Sequence, residues 1–215
     1  MLDELHDESI HALSSPRILG VTPAIVIENV DFEAQGRMKV SFPWIPNIEL
    51  WARMCAPVAG NGCGVWAVPQ VGDEVLVAFA HGDVEQPYVL GGLWSMQARP
   101  PAAQPTDART KRIVRSPLGH SITLDDVPPA ITVEHNAGHK IEMTADGIKI
   151  STSGGAASIE LTAAGEIKIT GRTTVSVSAP AVKVAGDSSA QVTGGAVEVS
   201  ATGPCKVAGS LVAIN

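Results

Sequence analysis

The stretch Thr174-Val175-Ser176-Val177-Ser178-Ala179-Pro180-Ala181-Val182-Lys183-Val184-Ala185-Gly186-Asp187-Ser188-Ser189-Ala190-Gln191-Val192-Thr193-Gly194-Gly195-Ala196-Val197-Glu198-Val199 decides the fold. Apolar residues come in pairs with one residue between them, the period of a strand with one buried face. The pairs are Ile159/Leu161, Ile167/Ile169, Val175/Val177, Val182/Val184, Ala190/Val192, Val197/Val199, Cys205/Val207 and Val212/Ile214. Their first members advance by 8, 8, 7, 8, 7, 8 and 7 residues, a repeat. The residue inside a pair is usually polar (Glu160, Lys168, Lys183, Glu198, Lys206), so one face is dry and the other wet. Gly, Ala, Ser and Thr between pairs suit a corner every few residues. Two inward side chains per strand and no large aromatics cannot build a core alone. Three such units closing each coil of a single-chain solenoid, or three chains wound about one axis, would both supply the cover.

Upstream the same signature is less regular, with Ile122/Leu124, Ile131/Val133, Ile141/Met143 and Ile148/Ile150. Ser95 to Thr110 is rich in proline and small polar residues and reads as an extended connector. Before it, strands are predicted at Ala24 to Val30, Arg37 to Phe42, Glu49 to Cys55, Glu74 to Ala80 and Pro87 to Trp94, separated by a polar turn at Asp31 to Gly36, a Gly-rich loop at Pro57 to Gly64 and a turn at His81-Gly82-Asp83. Five strands in about seventy residues suit a small Greek-key barrel of the OB type. Trp44, Trp51, Trp66 and Trp94 all fall in this region and are expected in its core. Leu2, Leu5, Ile10 and Leu13 predict a short amphipathic docking helix before Ser14-Ser15-Pro16. The organisation is therefore residues 1–20 as a docking segment, 21–95 as an OB domain, 96–112 as a linker and 113–215 as a β-helical spike.

The 215 residues carry a formal charge of −7, and the acidity is concentrated in the first hundred, with five Lys/Arg against twelve Asp/Glu. An acidic head with a neutral tail lacks the basic face that nucleic acid requires, so no nucleic-acid partner is expected. No apolar run of eighteen residues occurs and the start is acidic, so neither a spanning helix nor a secretory leader is expected. Cys55, Cys63 and Cys205 lack metal-ligand spacing and read as reduced thiols.

Three motifs have bland readings. His135 and His139 have the spacing of a metal-binding helix, but they lie in a strand-and-turn region without a catalytic Glu. Gly60-Asn61-Gly62-Cys63-Gly64 lacks the Lys-Ser/Thr of a phosphate cradle and reads as an adaptable barrel loop. Asp125 and Asp126, the pair a polysaccharide-cleaving β-helix enzyme would need, point to opposite faces of a strand. An OB module gripping single strands or sugars is the other rival, and the acidic barrel opposes it. No catalytic residue, metal or cofactor is expected.

Gly36-Arg37-Met38-Lys39-Val40, Trp51-Ala52-Arg53, Val68-Pro69-Gln70-Val71-Gly72-Asp73-Glu74-Val75-Leu76-Val77 and Gly82-Asp83-Val84-Glu85-Gln86-Pro87-Tyr88-Val89-Leu90-Gly91 resemble the OB domain of contractile-tail spikes. These spikes include phage baseplate assembly protein V, the type VI valine-glycine repeat proteins and the spikes of extracellular injection particles. Lys111 to Asp126 looks like the entry to their β-helix. The resemblance implies an all-β homotrimer with an OB collar and an intertwined β-helix that pierces the target envelope without catalysis. It decides for three chains, with a core of Ile159, Leu161, Ile167, Ile169, Val175, Val177, Val182, Val184, Val192, Val197, Val199 and Val207. No hub-like domain precedes the barrel, so a separate hub protein is expected. No lysozyme-like insertion follows it, which removes the enzymatic activity some phage spikes carry. The end lacks the His-x-His apex of several phage spikes, so Val212, Ile214 and Asn215 are expected to form a platform for a PAAR-type tip protein. Such a particle would be assembled in the bacterial cytoplasm and act at a baseplate, crossing the target membrane only transiently.

Overall fold

A computed structural model describes residues 17–213, and the expected docking helix lies outside the described residues, as do Ile214 and Asn215. The chain divides into two units, residues 1–113 and 114–215.

In the first unit, β1 (Val21–Glu28), β2 (Arg37–Phe42), β3 (Ile45–Met54), β6 (Glu74–Phe79) and β7 (Pro87–Gly92) close a barrel in the order β1-β2-β3-β7-β6, with β6 returning to β1. All contacts are antiparallel except β3 with β7, where Arg53 and Met54 face Tyr88 and Val89 in parallel. Two-residue strands β4 (Ala59–Gly60) and β5 (Cys63–Gly64) form a hairpin outside it. The expected loop at Gly60 to Gly64 is thus a small ordered hairpin.

Strict alternation builds the core. Ala24 and Val26 of β1, Met38, Val40 and Phe42 of β2, Ala52 of β3, Val75, Val77 and Phe79 of β6 and Val89 of β7 turn inward and are buried. A five-stranded barrel leaves room for side chains of this size and no more. The four tryptophans are accordingly not in the core, which corrects the sequence expectation. Trp66 and Trp94 are 77% and 73% exposed. On β3 the inward place is taken by Ala52, so its neighbour Trp51 must point out, where the Arg37 guanidinium lies 5.6 Å from its ring. Trp44 is half-exposed, edges Phe42 at 6.3 Å and donates its indole N–H to Thr22 Oγ1 at 2.7 Å. Trp66 covers Gly36, where a Cβ would come within 2.9 Å of the indole and the backbone φ is +71°.

The Asp31 to Gly36 turn is organised by one carboxylate. Asp31 accepts hydrogen bonds from the backbone N–H groups of Glu33, Gln35 and Arg37 and from the Arg37 guanidinium, the last at 2.9 Å. The Arg37 side chain first, and then these amides, hold the Asp31 carboxyl well below the usual carboxylate range. A lowered folded-state pKa stabilises the fold above the unfolded value, and that contribution fades as pH falls below about 4. Asp31→Asn is therefore expected to lower the barrel's melting temperature at pH 7 and to flatten its acid limb below about pH 4. Thermal melts of both proteins from neutral to acid pH would measure this, and parallel curves would refute it.

The second unit holds a seven-stranded antiparallel meander. Its strands are β8 (Lys111–Arg115), which straddles the unit boundary, β9 (Ser121–Asp126), β10 (Pro129–Glu134), β11 (Lys140–Thr144), β12 (Gly147–Ser151), β13 (Ala157–Thr162) and β14 (Ile167–Gly171). Between Gly171 and Ala213 no strand forms, because the backbone has no neighbour in its own chain to bond. Among the described residues no helix is long and apolar enough to cross a membrane.

Candidate trimer interface

The register of the meander aligns the apolar pairs. Ile131 faces Leu124 on one side and Met143 on the other; Met143 faces Ile148, Ile148 faces Leu161 and Leu161 faces Ile167. One step away, Val133 faces Ile122 and Ile141, Ile141 faces Ile150, Ile150 faces Ile159 and Ile159 faces Ile169. Two unbroken apolar rows thus cross six strands on one face. Aligned branched side chains stabilise a sheet pair by pair, but among the described residues these rows are left partly exposed. Ile122, Leu124, Ile131, Val133, Ile141, Ile148, Ile150, Ile159 and Leu161 are each 38–46% exposed, and Ile167 and Ile169 more. A continuous apolar face of this extent marks an interaction surface.

The opposite face is charged in alternation. Glu142 faces Lys149, Lys149 faces Glu160 and Glu160 faces Lys168. The Lys149–Glu160 pair is in contact at 2.5 Å, and a hydrogen bond from Lys149 lowers the Glu160 carboxyl below its ordinary value. Lys140 donates to Glu142 at 2.7 Å. This ladder suits water, and a one-residue slip would bury it.

The apolar face is concave. Val133, Ile141, Ile150, Ile159, Ile169 and the following Val175 line a groove of about 570 Å³. Beyond Gly171 the remaining pairs stand open on a backbone that forms no strand in the described residues. Val175, Val182 and Val197 are a little over half-exposed, while Val177, Val184, Val192, Val199 and Val207 are more so. Of the expected core residues, Ile159, Leu161, Ile167 and Ile169 therefore share the sheet face, and Val175 to Val207 follow it along the unpaired segment. Val212 is half-exposed, and the rest of the expected tip platform, Ile214 and Asn215, lies outside the described residues.

At one end the apolar rows continue into a row of histidines. Two residues before Ile122 stands His120, two after Val133 stands His135, and two before Ile141 stands His139, so strand alternation puts all three on the apolar face. Their rings are neighbours, with centroids 4.4 Å apart for His120 and His135 and 5.7 Å for His135 and His139. Each Nδ1 accepts a backbone N–H: from Asn136 at 3.3 Å, from Ala137 at 3.1 Å and from Ser153 at 3.1 Å respectively. A neutral ring bonded this way carries its proton on Nε2 and offers no lone pair to a metal. The helix spacing of His135 and His139 concealed this ladder, whereas counting by two from the apolar pairs would have exposed it. Asp125 and Asp126 occupy opposite faces of β9, and Asp125 Oδ1 accepts the Val127 N–H at 3.0 Å. Among the described residues no group of histidine, cysteine and carboxylate side chains forms a metal site, and all three cysteines are free and exposed.

A closed OB-like barrel followed by a sheet with an uncovered apolar face describes an all-β chain that carries a surface for association. Residues 22–94 match the type VI secretion system/phage-baseplate injector OB domain, and residues 111–215 match the phage baseplate V C-terminal trimerisation domain. The chain belongs to the contractile-tail spike family. Among curated proteins it resembles the type VI secretion system spike protein VgrG5 of Pseudomonas aeruginosa, with 34% identity over 47% of this chain and 14% of that protein. It also resembles VgrG3 of Vibrio cholerae, with 33% identity over 48% and 11%, and VgrG2a of Pseudomonas aeruginosa, with 36% over 43% and 12%. The chain thus spans only a small part of the length of the relatives it matches.

Proposed function

We propose that this chain is the non-enzymatic central spike of a contractile injection machine, acting as a homotrimer that links a hub to a tip and pierces the target envelope. The two apolar rows of the meander carry this reading. A face of that size is stable in water only when covered, and a threefold arrangement covers each copy with two others. The match to a trimerisation domain supports the same stoichiometry. Residues 113–215 form the spike. Within it Ile159, Leu161, Ile167, Ile169, Val175, Val177, Val182, Val184, Val192, Val197, Val199 and Val207 pack around the axis. From Val175 onward the single-chain backbone lacks strand partners, and intertwining of three chains supplies them.

Residues 21–95 form the barrel, 96–112 the connector and 1–20 a segment that docks on a separate hub protein. Val212, Ile214 and Asn215 seat a PAAR-type tip protein. The particle is assembled in the bacterial cytoplasm. An enzymatic reading finds no pair of convergent carboxylates at Asp125 and Asp126, and the acidic barrel gives no footing to a nucleic-acid reading.

Light scattering coupled to size exclusion tests the central point. At micromolar concentration the mass is expected to be three times the 22.2 kDa chain, with slow unfolding typical of chains that cannot separate one at a time. A monomeric mass would overturn the proposal.

A further inference from the structure

The histidine ladder extends the face that assembly covers, and the proposed function makes no use of it. Neutral imidazoles suit that position: they are flat, they follow directly from Ile122, Val133 and Ile141, and each Nδ1 accepts a backbone N–H. Protonation reverses each of these advantages. An Nδ1 that carries a proton cannot accept, so the amides of Asn136, Ala137 and Ser153 would lose their acceptors. Rings spaced at 4.4 and 5.7 Å would also become adjacent cations.

The charged groups nearest the ladder are two arginines and one carboxylate, Glu134, which lines a pocket together with Arg115 and His135. Arg115, at the end of β8, brings its guanidinium to within 3.5 Å of the position a Gly119 side chain would occupy. Arg172 follows β14, with its amide bonded to the Ala156 carbonyl. Both are cations. Glu134 of β10 and Lys140 of β11 are register partners, and alternation turns both to the opposite face, where Lys140 is bonded to Glu142. The β12 and β13 ends contribute Ser151, Thr152, Ser153, Ala157 and Ser158, all uncharged.

We propose that His120, His135 and His139 form an acid-sensitive lock on the trimer: neutral, they complete the dry face; protonated, they loosen it. This rests on the trimeric reading above. The sign follows from linkage. A ring that is neutral in the trimer and can take up a proton in the separated chain stabilises assembly, and the contribution is lost as pH falls. Each proton coupled to assembly in this way weakens it by up to about ten-fold for every unit by which the pH falls.

Sedimentation of the full chain at these two pH values, beside a His120→Gln, His135→Gln, His139→Gln triple variant, tests the lock. Glutamine keeps an oxygen able to accept the backbone N–H but does not titrate. Wild type is expected to dissociate at pH 5.0 at least about ten-fold more readily than at pH 7.5, and the variant to show little pH dependence. Equal pH dependence in the two proteins would overturn the lock while leaving the trimer intact as a conclusion. A wild-type monomer at pH 7.5 would instead overturn the trimeric reading and the lock with it. Should the variant fail to assemble, proton NMR titration of the three rings decides. Midpoints in the wild-type trimer below those in the urea-unfolded chain support the lock, and identical midpoints refute it.

Discussion

Val197→Asp is expected to abolish trimer formation, and Lys183→Ala to leave it intact. In the single chain Val197 is 57% exposed, so aspartate there costs the isolated chain little. Assembly changes the balance, because a threefold axis repeats every inward position three times and would bring three carboxylates into one dry layer. Each buried, unpaired charge costs about 3–5 kcal/mol, and the three also repel one another. Lys183 sits between Val182 and Val184, on the wet side of its pair, and its truncation removes neither apolar contact nor buried charge. Light scattering of the two variants at equal concentration reads the result as a mass. A trimeric Val197→Asp protein, or equal loss in both, would show that the inward register along residues 175–207 is wrong.

Much of this architecture was legible in the sequence because period two is a local signal. The β2 strand, Arg37–Phe42, is where its alternation predicts, and the other barrel strands differ only at their ends. The apolar pairs from Ile122 to Ile169 are the residues that the register aligns. The direction of the tryptophans was not legible. Hydrophobicity alone assigns Trp51 to the core, but its neighbour Ala52 is the residue that faces inward, and only the barrel's closure reveals how little volume remains inside.

The change of behaviour at Gly171 was equally hidden. Gly138 and Gly165 make hairpin turns with φ of +85° and +89°, which fold the meander back on itself. Gly186 has no such conformation. It is required because a side chain there would meet the Ser189 carbonyl. A glycine that reverses the chain and a glycine that admits a close carbonyl read alike in sequence, so the end of the meander could not be placed from spacing. The histidine ladder escaped for a related reason. A four-residue separation suggests one helix face, yet a hairpin across Asn136, Ala137 and Gly138 brings His135 opposite His139 just as well.

Met38→Ala separates the contributions of the two units. Met38 is fully buried near the start of β2, among the largest side chains of the barrel core. Its truncation removes apolar contact and leaves a cavity in a barrel too small to collapse freely, at a cost of about 2–5 kcal/mol. A domain of about seventy residues is stabilised by only about 4–10 kcal/mol, so the variant forfeits a large share of the barrel's stability. The interface rows lie entirely in β9 to β14 and share no residue with that core. The expected outcome is a variant that still sediments as a trimer while its barrel melts at a distinctly lower temperature, the decrease being of the order of ten degrees. Tryptophan fluorescence isolates the barrel, since all four indoles belong to the first unit. Loss of the trimer at temperatures where the spike retains its strand signal would show that the barrel holds the three chains together, and the interface would then have to be sought on its exposed Trp66 and Trp94.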